Sequence, residues 1–143
     1  MTIKFKKLDK NAVVPSKVHN SDTGYDVTAV SIERFSENVL AYHTGIAVEL
    51  PEGWGLQLRP RSSVRKYDLL LCNSVGTIDN AYRGEIIVSF RLQKALSEAK
   101  VYEIGDKVAQ IILEKIEAPI VWEEVSELSD SDRGVGGHGS SGA

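Results

Sequence analysis

Apolar and polar residues alternate with a period of two through much of the chain. Trp54, Leu56 and Leu58 are separated by Gly55 and Gln57, and Arg59 comes next. Ile86, Val88, Phe90 and Leu92 alternate with Ile87, Ser89, Arg91 and Gln93. Ile46, Val48 and Leu50 repeat the pattern, as do Ala109, Ile111 and Leu113. Successive side chains of a strand point to opposite faces, so these runs predict strands with one face more buried than the other. Turn signals separate them at Pro51-Glu52-Gly53, Asp79-Asn80, Arg83-Gly84 and Gly105-Asp106. Short strands at this spacing predict an all-β, jelly-roll-like barrel or sandwich. Helical signal is weak. Leu92, Ala95, Leu96 and Ala99 have helical spacing but overlap a better strand. Ser62 to Tyr67, just after Pro60, predicts one short helix with Ser62 or Ser63 as its N-cap.

Composition narrows the class. A chain of 143 residues with 42% hydrophobic content suits one domain with its own core. The expected division is a β domain over residues 1–130 and a glycine-rich, mobile C-terminal arm over 131–143. The single cysteine, Cys72, rules out an intrachain disulfide, and its apolar neighbours Leu69, Leu70 and Leu71 predict a buried thiol. No signal-like or membrane-length apolar run occurs, so a cytoplasmic location is expected, with no membrane partner. A net charge of -3 gives no global basic footprint for nucleic acid. Phosphate binding, if present, must then come from local cations, backbone amides or a metal.

Several segments carry such chemistry. In Arg59-Pro60-Arg61-Ser62-Ser63, a strand end supplies guanidinium groups beside the hydroxyls and free amides of a helix start. Asn73 to Glu85 reads as a β-hairpin whose backbone could address the edge of a base. Within it Asn73 offers donor and acceptor, Asp79 could deprotonate a water, and Tyr82 could stack on a sugar or base. Ser21-Asp22-Thr23-Gly24-Tyr25-Asp26 places two carboxylates near a glycine, which suits magnesium bound with phosphate oxygens. The tail from Arg133 could fold over a phosphate chain. Taken singly, each also reads as an ordinary turn, cap or loop. The three histidines and one cysteine have no zinc spacing.

The order of these segments resembles the five motifs of the trimeric dUTP diphosphatase (dUTPase) family. Ser21 to Asp26 resembles the first motif. Pro60-Arg61-Ser62-Ser63 resembles the second, with Ser63 where glycine is usual. Gly76-Thr77-Ile78-Asp79-Asn80-Ala81-Tyr82-Arg83-Gly84-Glu85 is a close match to the third. Gly105 to Ile112 resembles the fourth, with Lys107 where arginine is common. Arg133 to Gly142 resembles the fifth, with His138 where most members have phenylalanine. The resemblance implies a homotrimer with active sites shared between subunits. It implies hydrolysis of dUTP to dUMP and pyrophosphate with Mg2+, which supplies dUMP and keeps uracil out of DNA. It implies that Asp79 is the general base and that Asn73, Gly76, Thr77, Ile78, Tyr82 and His138 hold base and sugar. Arg61, Ser62, Ser63, Gln110, Arg133, Gly139, Ser140 and Ser141 would hold the phosphates, and Asp26 would meet the metal through its waters. The related dCTP deaminases share an Arg-Ser-Ser segment, but their catalytic glutamate falls at Ser89, which cannot serve as general acid or base. The remaining alternative is a non-catalytic, nucleotide-sensing trimer.

Overall fold

The computed structural model describes residues 1–137 of the chain, and the expectations for His138, Gly139, Ser140 and Ser141 lie outside the described residues. Among the described residues, nine strands form two antiparallel sheets. In the first, β1 (Lys4–Lys7), β4 (Val39–Glu49), β8 (Glu85–Leu92) and β6 (Leu69–Leu71) lie in that order, and β3 (Ser31–Ser36) also pairs with β4. In the second the order is β2 (Tyr25–Thr28), β9 (Lys107–Lys115), β5 (Trp54–Arg59) and β7 (Gly76–Ile78). Both sheets are open, so the fold is the sandwich form of the expected jelly-roll-like architecture. The one helical element among these residues is a 3-10 turn, Ser62–Lys66. No helix among the described residues is long and apolar enough to cross a membrane.

The two-residue period produces this burial directly. Ile86, Val88, Phe90 and Leu92 all point inward from β8, while Ile87 and Arg91 are exposed. Leu56, Leu58, Ala109 and Ile111 face them from the second sheet, and Val108 is buried beside them. Tyr42, Phe90 and Tyr102 pack edge to face or tilted at the centre, with centroids 5.8 to 6.1 Å apart. Burial pushes the Tyr42 hydroxyl up to about 12, so it stays protonated and donates to the Tyr102 carbonyl at 3.1 Å.

Three local expectations change. The stretch from Asn73 to Glu85 is not a hairpin: β7 pairs with β5 in one sheet and β8 with β4 and β6 in the other. Residues 79–84 therefore cross between layers. The 3-10 turn has Arg61, not a serine, at its N-cap, with no side-chain capping bond. Arg61 is extended (φ -84, ψ 156), and its side chain is drawn away to an acid on β2. Cys72 is exposed rather than buried. It comes directly after the last residue of β6, an edge strand, where the chain has left the core. The last strand ends at Lys115, and no later strand occurs among the described residues. Ile120, Val121 and Trp122 in this segment are 70–91% exposed.

Candidate active site

The site residues expected from the sequence fall into two clusters. The first lies at the β2 edge of the second sheet. Asp26 on β2 sits opposite Gln110 on β9, and Gln110 sits opposite Arg59 at the end of β5. Pro60 then turns the chain, and Arg61 folds back along this row. Its Nε donates to Asp26 Oδ1 at 2.7 Å, and Lys107 Nζ lies 3.0 Å from Asp26 Oδ2. The Asp26 side chain is only 15% exposed, so two cations against one carboxylate leave the cluster with net positive charge in a partly desolvated setting. Gln110 Nε2 donates to the Pro60 carbonyl at 3.1 Å, which fixes the turn. Ser63 Oγ lies 3.4 Å from the Tyr102 hydroxyl and 3.4 Å from Arg61 Nη1, tying the turn to the core. Ser62 is exposed beside it, where the first amides of a helical turn have no helical partner.

The second cluster surrounds a cavity of about 190 Å³ at the mouth between the sheets. Asn73, Gly76, Thr77, Ile78, Asp79 and Tyr82 all line it, with Leu58, Glu85 and Ile86 at its wall. These six are the sequence-expected residues for base, sugar and attacking water. β7 is an edge strand, so its outer backbone groups face the solvent instead of another strand. Asn80 holds the adjoining turn in place, donating to the Pro51 carbonyl at 2.7 Å and the Trp54 carbonyl at 2.8 Å. Tyr82 donates to the Glu85 carbonyl at 2.9 Å, and its ring lies so close over Gly84 that a Cβ there would overlap it. Asp79 is exposed at the rim. A cavity this size is below the roughly 300–1,000 Å³ of a drug-sized ligand site, so it suits a base and sugar rather than a whole nucleoside triphosphate. A larger cavity, about 380 Å³ and lined by apolar residues such as Ile3, Phe5, Val14 and Leu113, contains none of the expected residues.

The clusters do not meet within one chain. β2 and β7 are opposite edges of a four-stranded sheet, three strand spacings apart, which is roughly 14 Å. Along the strands, Asp79 comes after Ile78, which pairs with Leu56, whereas Arg61 lies beyond the far end of β5. Arg133 donates to the Gly136 carbonyl at 2.8 Å in a local turn. Among the described residues, no group of three or more metal-binding side chains occurs.

Two participants went unassigned on sequence grounds. Lys107 joins Asp26 from a neighbouring strand, and only strand register reveals that. Glu85 lines the cavity although it reads as the first residue of a strand.

The family model described as dUTPase matches residues 10–142. The chain is similar to the deoxyuridine 5'-triphosphate nucleotidohydrolase of Gloeothece citriformis, 40% identical over 99% of this chain and 97% of that protein. That of Clostridium acetobutylicum is 39% identical, also over 99% and 97%. Among solved structures, the dUTPase of Staphylococcus bacteriophage 80alpha with dUpNHpp superposes with a TM-score of 0.82, at 27% identity over 99% of each chain. A mutant dUTPase of phage phi11, described with a structural Mg(II) ion, shares the fold at a TM-score of 0.73 and 23% identity, over 91% of this chain and all of that one.

Proposed function

Since the chain belongs to the dUTPase family, we propose that its two clusters are complementary parts of one site that hydrolyses dUTP to dUMP and pyrophosphate. The observation that carries this reading is the cavity lined by Asn73, Gly76, Thr77, Ile78, Asp79 and Tyr82. Uracil enters against the open edge of β7, where backbone groups and the Asn73 amide read its O4 and N3–H. Cytosine would leave buried polar groups unpaired there. Tyr82 packs under the deoxyribose and leaves no space for a 2′-hydroxyl. Asp79 accepts a hydrogen bond from a water and aims its oxygen at the α-phosphorus. As the P–O bond forms, the water proton passes to Asp79, the bond between the α-phosphorus and its bridging oxygen breaks, and pyrophosphate leaves. Arg61, Ser62, Ser63 and Gln110 hold the triphosphate in line, which is most of what phosphoryl transfer asks of a protein. Arg133 joins them with Gly139, Ser140 and Ser141, while His138 covers the uracil.

A homotrimer with shared sites accounts for the separation of the clusters: a neighbouring copy brings its Asp79 cavity against this copy's Arg61 group. The uncovered run Ile120–Val121–Trp122 is suited to lie on such a neighbour. Mg2+ fits the donor set. The Asp26 carboxylate has about four lone-pair sites, and contacts from Arg61 and Lys107 leave room for about one metal-bound water. When bound with the triphosphate, the metal neutralises phosphate charge.

The test is pyrophosphate release from dUTP, dCTP, dTTP and UTP, with and without magnesium, together with ammonia release from dCTP. Magnesium-dependent release confined to dUTP is expected. Ammonia from dCTP, or binding of dUTP without release, would replace this reading by one of its alternatives. A second expectation concerns Gly84. Gly84→Ala drives the Tyr82 ring off its seat, so KM for dUTP should rise about tenfold while the melting temperature stays close to that of the parent. An unchanged KM would remove Tyr82 from the sugar site.

A further inference from the structure

Glu85 has two jobs that meet at one carboxylate. The β4–β8 ladder breaks between His43 and Ala47: His43 pairs with Ile87, and pairing resumes at Ala47 opposite Glu85. This is a bulge in β4, with Gly45 at φ +66, a conformation that favours glycine. A bulge leaves backbone groups without ladder partners. Here side chains restore them. Glu85 Oε1 accepts from the Gly45 amide at 2.7 Å, and Thr44 Oγ1 donates to the Ile86 carbonyl at 2.7 Å. The other oxygen of Glu85 lies 2.9 Å from His43 Nδ1. On its far side, His43 Nε2 lies 3.2 Å from Glu33 Oε2 on β3. Both ring nitrogens thus face carboxylates, an arrangement satisfied in full only by the imidazolium, which donates from both. Glu85 also lines the nucleotide cavity, and its carbonyl receives the Tyr82 hydroxyl.

We propose that His43 is a positioning residue for the nucleotide cavity: clamped between Glu33 and Glu85, it holds Glu85 and thereby the seat of Tyr82. This rests on the assignment of that cavity to base and sugar. The bond to Glu85 is the largest influence on the ring and raises its pKa. Partial burial works against that bond, and Glu33 adds to it. The charged side chains facing the ring are Glu85 from β8 and Glu33 from β3. Because the folded value lies above the ordinary one near 6.5, the clamp is complete below about pH 6.5. It is lost as pH rises through the raised value, when one ring nitrogen turns a lone pair toward a carboxylate.

The experiment measures kcat and KM for pyrophosphate release from dUTP against pH, and tracks the imidazole resonances by NMR in the same protein. Wild type should show KM rising as the His43 resonance titrates above 6.5, with kcat less affected. His43→Ala should raise KM on the order of tenfold at pH 6.5 and lose that pH dependence. His43→Asn, which keeps an N–H toward Glu85, should recover much of the lost affinity while remaining insensitive to pH. Glu33→Gln should keep the low KM at acid pH and shift the His43 titration to lower pH. A folded His43→Ala protein with the parental KM and pH profile would overturn the proposal, as would a Glu33→Gln protein with an unmoved titration. If His43→Ala fails to fold, the other two variants decide. Absence of pyrophosphate release from wild type would defeat the enzymatic reading alone, since the NMR titration still reports whether Glu33 and Glu85 clamp the ring.

Discussion

Asp79→Asn is expected to lower kcat by about 10²- to 10⁴-fold while leaving fold and nucleotide binding in place. The amide is nearly isosteric with the carboxylate and can still hold a water, but it cannot take the proton as the water attacks. The local structure predicts little collateral damage. Asp79 is exposed, and it takes part in its turn through its backbone carbonyl, which accepts from the Tyr82 amide at 3.0 Å. The turn itself is anchored by Asn80. Steady-state kinetics and a thermal melt on the same preparation check this. A kcat within a few-fold of wild type would remove Asp79 from the chemistry. A large fall in melting temperature would instead give it a structural role.

Arg61→Ala should cost on the order of 10²- to 10³-fold in kcat/KM, because a fixed donor to the developing phosphate charge is removed. It should also cost about 1–2 kcal/mol of stability. Stripping one partner from a fully buried pair costs about 3–5 kcal/mol, but this pair is partly exposed and Asp26 retains Lys107. The informative measurement mixes subunits. If Asp79 and Arg61 reach one site from different chains, co-refolding Arg61→Ala with Asp79→Asn should restore about a quarter of the sites in a randomly mixed trimer. If both residues act within one chain, no mixed assembly recovers activity.

The layers are legible in the sequence wherever one face of a strand is buried. Ile86 to Leu92 is the clearest case, because the alternation of β8 survives intact. β4 is only half visible. Its N-terminal part, Leu40-Ala41-Tyr42, is buried on successive positions and so carries no period, and the bulge at Gly45 interrupts the alternation of the remainder. The expected hairpin at Asn73 to Glu85 fails for a different reason. Turn residues announce that the chain reverses, but they do not say whether the next strand joins the same sheet or the opposite one. At the site, Asp79, Tyr82 and Asn73 are legible because they are neighbours in one stretch. Lys107 and His43 are not, since each acts through a partner on another strand whose position depends on register.

The free edge of β7 carries a hazard as well as a use. Backbone groups that the proposed site leaves open for a base are equally open to a strand from a stranger chain, the usual seed of runaway sheet growth. β7 spans only Gly76–Ile78, and the chain leaves the sheet at once on both sides. Three residues are too few to template a fibril, so brevity limits the hazard of leaving this ladder exposed.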